Sequence, residues 1–148
     1  KGTNMKKISN GPVLDGLFLF AQSEHHRWYS VAEFYQYFIY PLMHNKIRFF
    51  YDEKDPDKII GLFTWVFISK EKSEEFLDDS YVIQEGDYEA EDGDEIWGLE
   101  FIAPYGHAKK MVADLKKEYV DIYGKKRPIY WRRLNKPSIK RRGKLYGW

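Results

Sequence analysis

The chain of 148 residues contains no cysteine, and this absence removes several kinds of chemistry at once. Without a thiol there is no disulfide framework, no cysteine nucleophile, no thiolate metal site and no redox relay. A chain of this length buries about 70% of the surface that it exposes when unfolded, so it can build a core without covalent staples. The missing cysteine therefore restricts the chemistry of the protein rather than its stability.

Long apolar runs are missing as well. No stretch approaches the ~20 apolar residues that a membrane-spanning helix requires, and no signal peptide is visible. We therefore expect a cytoplasmic protein without a membrane span. The 5 Trp, 12 Tyr and 10 Phe residues are too many for a disordered chain.

The formal net charge of +1 hides two charged blocks. Residues 71–95 contain twelve acidic residues and one lysine, whereas residues 125–148 contain ten Lys or Arg residues and no acid. We accordingly expect a remnant ahead of the native start at 1–4, one folded domain over 5–124, and a basic C-terminal segment over 125–148. This last segment holds a final strand and a tail.

Hydrophobic spacing predicts an α+β or α/β domain with a largely antiparallel sheet. Ser30 followed by Glu33 is a capping box that starts the first predicted helix, and Pro41 should kink or end that helix. The predicted elements are a helix near 30–44, strands over 46–51 and 59–69, a short helix from about 73, a loop over 85–94, a strand over 96–102, a helix over 107–123 and a strand over 128–132.

The common catalytic signatures are also absent. None of the four histidines falls in an HExxH, HxH or paired helical spacing, and the chain has no GxSxG elbow and no P-loop. The sequence therefore gives poor support to a metal site and to serine nucleophile chemistry. Acid–base chemistry by histidine is left, and it requires a second group that orients the imidazole.

A histidine-rich loop comes directly before the capped helix and contains Ser23, His25, His26, Arg27 and Trp28. Side chains in such a loop lie at the positive end of the helix dipole, which favours a neutral imidazole. A neutral imidazole is the form that accepts a proton. The alternative is a structural one, in which one imidazole bonds the loop backbone and the other is solvated.

A second segment of interest is the third predicted strand with the turn that follows it. Glu100 interrupts the apolar strand, and a buried carboxylate is unfavourable unless it is paired. A core-facing Glu100 thus requires a partner such as an imidazolium, whereas a solvent-facing Glu100 does not. After the strand, Gly106, His107 and Ala108 open a helix, where small residues let backbone amides approach an anionic or carbonyl-bearing ligand.

These two segments together resemble a known family. Residues 23–28 match a motif in which Ser-x-x-His-Arg is followed closely by Trp. Residues 93–106 resemble, without a gap, a block that reads Gly-Asp-x-x-Trp-x-x-Asp-x-Ile-Ala-Pro-Phe-Gly. Over about residues 14–123 the sequence is similar to the RTX toxin-activating lysine acyltransferases.

The resemblance implies a GNAT-like single domain that transfers a fatty acyl group from acyl carrier protein to a lysine ε-amine of another protein. It implies that His26 and Glu100 are the catalytic residues, with Glu100 where the family has an aspartate. Ser23 and Arg27 take supporting positions, and Ser23 is not a nucleophile. Residues 106–108 would bind the acyl donor. His26 would act either as the base for the amine or as the acceptor of the acyl group.

The same resemblance implies partners. The donor would be the phosphopantetheine thioester of acyl carrier protein, with acetyl-CoA or acyl-CoA as the alternative, and no cofactor would stay bound. Acyl carrier proteins are strongly acidic, so the basic segment 125–148 offers them a landing surface. The other expected partners are a protein with the target lysine and a second copy of the chain in a homodimer.

Two other interpretations stay open at this point. The first is a relative of the family that has lost catalysis or uses acetyl-CoA on another protein. The second is a nucleic-acid-binding module, because the basic segment mixes aromatic and cationic residues as base-stacking surfaces do. The acidic block over 71–95 argues against nucleic acid as a partner.

Overall fold

Five β-strands form one sheet in the described part of the chain. They are β1 (Ile47–Tyr51), β2 (Ile59–Ile68), β3 (Glu95–Ile102), β4 (Ile129–Arg133) and β5 (Arg141–Lys144). The structure, a computed structural model, describes residues 10–123, 128–133 and 141–144. The strands lie in sequence order, and neighbouring strands are antiparallel except for β3 and β4, which are parallel.

Helices cover both faces of this sheet. They are α1 (Asn10–Gln22), α2 (Val31–Phe34), α3 (Tyr40–Met43), α4 (Lys70–Leu77) and α5 (Ala108–Tyr123), with 3-10 turns at His26–Trp28 and Glu85–Glu89. α5 connects the parallel strands and packs on one face, while the other helices lie on the opposite face. None of the helices in the described residues is both long enough and apolar enough to cross a bilayer.

This architecture confirms the predicted α+β class with a mostly antiparallel sheet, and it is that of a GNAT-like single domain. The predicted strands and the helix that became α5 agree with the observed elements within one residue at each end. The remnant expected at 1–4, and residues 125–127, 134–140 and 145–148 of the basic segment, lie outside the described residues.

The helix predicted near 30–44 begins at the capping box. The Ser30 hydroxyl accepts from the N–H of Glu33 at 3.0 Å, and the Glu33 carboxylate accepts from the N–H of Ser30 at 2.7 Å. Pro41 does not end this helix, because α2 passes through a π-helical turn, Tyr35–Ile39, into α3. Proline has no N–H and its ring crowds the carbonyl four residues earlier, so a widened turn ahead of Pro41 keeps the helix continuous.

α1 was not predicted from the sequence. Its apolar side chains do not form one buried stripe, since Leu14, Leu17 and Phe18 stay exposed while Leu19 and Phe20 enter the core. The helical period of buried residues is therefore weak in this segment.

Two further elements differ from the predictions. α4 starts ahead of position 73 because the Ser69 hydroxyl accepts from the N–H of Lys72 at 3.1 Å and caps the helix there. β5 lies further along the basic segment than the predicted final strand, where only a tail was expected. The loop predicted over 85–94 contains the 3-10 turn Glu85–Glu89.

α1 docks on the following helical segment through a glycine. A Cβ atom at Gly16 would overlap the ring of Phe38, which is itself fully buried. We therefore expect Gly16→Ala to lower the free energy of unfolding by about 1–3 kcal/mol through overpacking. Urea denaturation followed by circular dichroism measures this change.

Gly11 in the same helix provides a matched control. A Cβ atom at Gly11 would meet nothing within 4 Å, so Gly11→Ala should keep or slightly raise stability through helix propensity. Equal unfolding midpoints for the two alanine variants would contradict the close packing of α1.

Candidate active site

A cavity of about 870 Å³ opens where β3 and β4 part. In the described residues the parallel register of these strands consists of two pairs, Ile96 with Ile129 and Trp97 with Tyr130. Beyond these pairs the cavity lies between the strands and is lined by residues 98–101 of β3 and by Ile129 and Trp131 of β4. The gap in the sheet thus connects its two faces.

A β-bulge in β3 places the carboxylate of Glu100. Trp65 of β2 pairs with Gly98 and Phe63 pairs with Phe101, so both Leu99 and Glu100 lie opposite Thr64. The N–H of Glu100, which the bulge removes from the ladder, donates to the Thr64 hydroxyl at 3.0 Å. A bulge interrupts the strict alternation of side chains, and Glu100 consequently faces the side of the sheet that carries α1 and the His26 turn.

His26 reaches Glu100 from the turn between α1 and α2. The Nε2 atom of His26 lies 2.8 Å from Oε1 of Glu100, and the two residues are 8% and 7% exposed. Glu100 is therefore buried and paired with an imidazole. The ring of Phe20 meets the His26 ring edge-on at 5.2 Å and closes the apolar side of the pair.

Ser23 forms a hydrogen bond with the other nitrogen of the His26 ring. Its Oγ atom lies 2.7 Å from Nδ1 of His26. A carboxylate can only accept, so the contact with Glu100 requires a proton on Nε2, and in the neutral ring Nδ1 then accepts from the Ser23 hydroxyl. Both ring nitrogens are thus hydrogen-bonded, and the tautomer follows from the two partners.

Tyr29 is a further member of the site that the sequence analysis missed. Its hydroxyl donates to Oε1 of Glu100 at 2.9 Å. Burial raises the pKa of the Tyr29 hydroxyl above its ordinary value, and the charge and hydrogen bond of Glu100 raise that pKa further. The only sequence signal was the position of Tyr29 directly after the residues 23–28 that match the family motif.

The remaining predicted site residues lie apart from the His26–Glu100 pair. Arg27 is exposed and stacks over the Trp28 ring at 5.5 Å. Gly106 forms a turn with φ +88° at the end of β3, and Ala108 is the first residue of α5. None of residues 106–108 lines the cavity as far as the chain is described.

His107 is the most enclosed of residues 106–108. Its carbonyl accepts from the N–H of Met111 at 3.0 Å and so joins the first turn of the helix. Its Nδ1 atom is buried and has no hydrogen-bond partner among the residues that the structure describes.

The lining of the cavity differs on the two faces of the sheet. On the α5 face the lining is apolar, whereas the lining on the His26 face includes the carboxylates of Glu33 and Asp79. No group of three or more His, Asp or Glu side chains within the described residues is placed to hold a metal ion. The residues that form the apolar lining on the α5 face are Phe63, Gly98, Phe101, Val112, Leu115, Ile129 and Trp131.

Comparisons with known proteins show which family the chain belongs to. The model of the RTX toxin acyltransferase family matches residues 10–142. An uncharacterised protein of Synechocystis sp. is 34% identical over 100 residues, which are 68% of this chain and 66% of that protein. The lysine-acyltransferase RtxC of Vibrio cholerae is 32% identical over 106 residues, 71% of this chain and 67% of RtxC. The chain thus spans about two thirds of the length of each relative, and it belongs to the RTX toxin acyltransferase family.

Proposed function

We propose that the protein transfers a fatty acyl group from acyl carrier protein to a lysine ε-amine of another protein, with His26 and Glu100 as the catalytic pair. The observation that carries this proposal is the buried 2.8 Å contact between the two side chains at the wall of the cavity. Family membership and the printed activity of the RtxC relative support the same reaction class.

A lysine amine has to lose a proton before it attacks, because its pKa is about 10.4 and it is protonated at neutral pH. In the proposed reaction His26 takes this proton at Nδ1 while Glu100 holds the Nε2 proton and stabilises the imidazolium. The amine nitrogen bonds to the thioester carbonyl carbon and gives its second excess proton to solvent, and the carbon–sulfur bond then breaks. The departing thiolate takes the proton from His26, which returns the ring to its neutral form.

The hydrogen bonds of His26 favour the base over the acyl acceptor. Nε2 is bonded to Glu100 and Nδ1 to Ser23, so a nitrogen that formed an acyl bond would first have to give up one of these partners. A proton instead enters at Nδ1 through the adjacent Ser23 hydroxyl, which passes its own proton to the ring as it receives one. Ser23 is then a relay and forms no covalent intermediate.

The apolar lining on the α5 face supports an acyl chain as the group that is transferred. Aromatic and aliphatic side chains from β2, β3, β4 and α5 surround this part of the cavity, and about 0.8 kcal/mol is gained for each methylene that leaves water. The backbone at 106–108 is the proposed contact for the polar arm of the donor. The basic segment 125–148 is the proposed landing surface for the acidic carrier protein.

The first test is acyl transfer from acyl carrier protein to lysine-containing proteins, followed by intact mass spectrometry. We expect His26→Ala to lower the rate by about 10²–10⁴, the usual contribution of a general base. Ser23→Ala should lower it by about tenfold, the value of one hydrogen bond.

His44 supplies the control for this test. It bonds Glu85 at 3.3 Å and does not line the cavity, so His44→Ala should transfer at the wild-type rate. Equal rates for wild type and His26→Ala would contradict the catalytic pair. Transfer by the wild type from acyl-CoA but not from acyl carrier protein would contradict the proposed donor.

A second test fills the apolar part of the cavity. We expect Leu115→Trp to slow the transfer of a palmitoyl group about tenfold relative to an octanoyl group. The larger side chain displaces about two methylene groups, worth about 1.6 kcal/mol together. The ratio of octanoyl to palmitoyl transfer is measured by mixing palmitoyl-loaded and octanoyl-loaded acyl carrier protein in one reaction.

Lys109→Trp on the exposed side of α5 is the matched control and should leave the ratio unchanged. An unchanged ratio in Leu115→Trp as well would show that the acyl chain lies elsewhere.

A further inference from the structure

One carboxylate oxygen receives two side-chain donors in the candidate active site. Oε1 of Glu100 lies 2.8 Å from Nε2 of His26 and 2.9 Å from the hydroxyl of Tyr29. We propose that Tyr29 is a positioning residue that fixes the Glu100 carboxylate against His26. This proposal rests on the proposed function, since it concerns the same catalytic pair.

The backbone places both donors on one short turn. The N–H of Tyr29 donates to the carbonyl of His26 at 3.0 Å, which closes the 3-10 turn His26–Trp28. The two side chains consequently leave the turn on the same side and reach the same oxygen. Their carboxylate partner comes from β3, 71 and 74 positions further along the chain.

Aromatic packing holds the Tyr29 ring in place. Its centroid lies 5.5 Å from that of Phe20, 5.7 Å from that of Tyr37 and 5.2 Å from that of the His26 ring. A ring with neighbours on several sides cannot swing its hydroxyl to solvent without disturbing them. Tyr29 is therefore a rigid donor.

Glu100 needs such a donor because its side chain is long. A glutamate has several rotatable bonds, and fixing them opposes folding by up to about 2 kcal/mol of side-chain entropy. Thr64 fixes the backbone of Glu100 at the bulge but does not reach its carboxylate. The two hydrogen bonds at Oε1 are the contacts that define where the carboxylate points.

The Tyr29 hydroxyl keeps its proton over the working pH range. Burial and the nearby Glu100 charge raise its pKa above the ordinary value near 10. A raised pKa means that the neutral hydroxyl persists to higher pH, so Tyr29 donates to Glu100 wherever a neutral lysine amine is available. Tyr29 thus acts through Glu100 and not as a second base.

The test is a double-mutant cycle of Tyr29→Phe and Glu100→Gln, measured as steady-state acyl transfer over a range of donor concentrations. Tyr29→Phe keeps the packed ring and removes only the hydroxyl. We expect a fall in kcat of about tenfold or more with little change in KM, because a hydrogen bond to a charged group is lost. In the Glu100→Gln background the same substitution should have almost no further effect.

A matched control and a second measurement complete the experiment. Tyr35 is 42% exposed and does not line the cavity, so Tyr35→Phe should leave kcat unchanged. In ¹⁵N NMR spectra of the histidine rings, wild-type His26 should show one tautomer with the proton on Nε2. Tyr29→Phe should move its signals towards the averaged values of the exposed His25.

The outcomes separate this inference from the proposed function. If Tyr29→Phe transfers like the wild type, or lowers the rate equally with and without the Glu100 carboxylate, Tyr29 is not a positioning residue. If the wild type transfers no acyl group at all, the proposed function fails, and the NMR signals of His26 decide alone whether Tyr29 positions the pair. Unchanged His26 signals in Tyr29→Phe would then overturn the inference.

Discussion

The β-bulge in β3 is the constraint on which the candidate active site depends. A regular strand from Trp97 to Ile102 would place these two residues on opposite faces, yet both lie in the core beneath α1 and α4. The extra residue of the bulge shifts the alternation of side chains by one position, so that Trp97 and Ile102 face the same side of the sheet, and Glu100 faces that side as well. The N–H of Glu100, which the bulge removes from the ladder, donates instead to the hydroxyl of the fully buried Thr64. One local irregularity thereby serves both the core and the site.

Burying a carboxylate is unfavourable unless donors replace the water that it loses. At Glu100 the replacement comes from His26 and Tyr29, both of which lie in the turn that α1 and α2 hold over the sheet. The same arrangement sets the tautomer of His26, with Ser23 at the second nitrogen. The electrostatics of the site therefore follow from where the N-terminal helices dock, and the cavity gives this buried group access to a ligand.

The sequence predicted the features that depend on local spacing and left out those that depend on contacts between distant residues. The spacing of apolar residues predicted the β1–β2 hairpin, β3 and α5, and the capping box at Ser30 predicted the start of α2. The side chain of Glu100 had no predictable direction, because alternation cannot locate a bulge, although Gly98 lies beside it. Tyr29 was missed since an aromatic residue in a loop gives no periodic signal. The direct pairing of His26 with Glu100 came from the family resemblance and not from periodicity.

The strand order of the sheet has a consequence for how the site forms. The antiparallel pairs of β1 and β2 lie only 8 to 17 positions apart and such local contacts assemble early, whereas His26 and Glu100 are separated by 74 positions. The pair is complete only once the N-terminal helices have docked on the sheet. Local release of α1 and its turn would therefore switch off the chemistry while most amide protons of β2 and β3 stay protected from exchange. The geometry of the site therefore depends on the docking of α1 and its turn and can be lost while the rest of the fold stays intact.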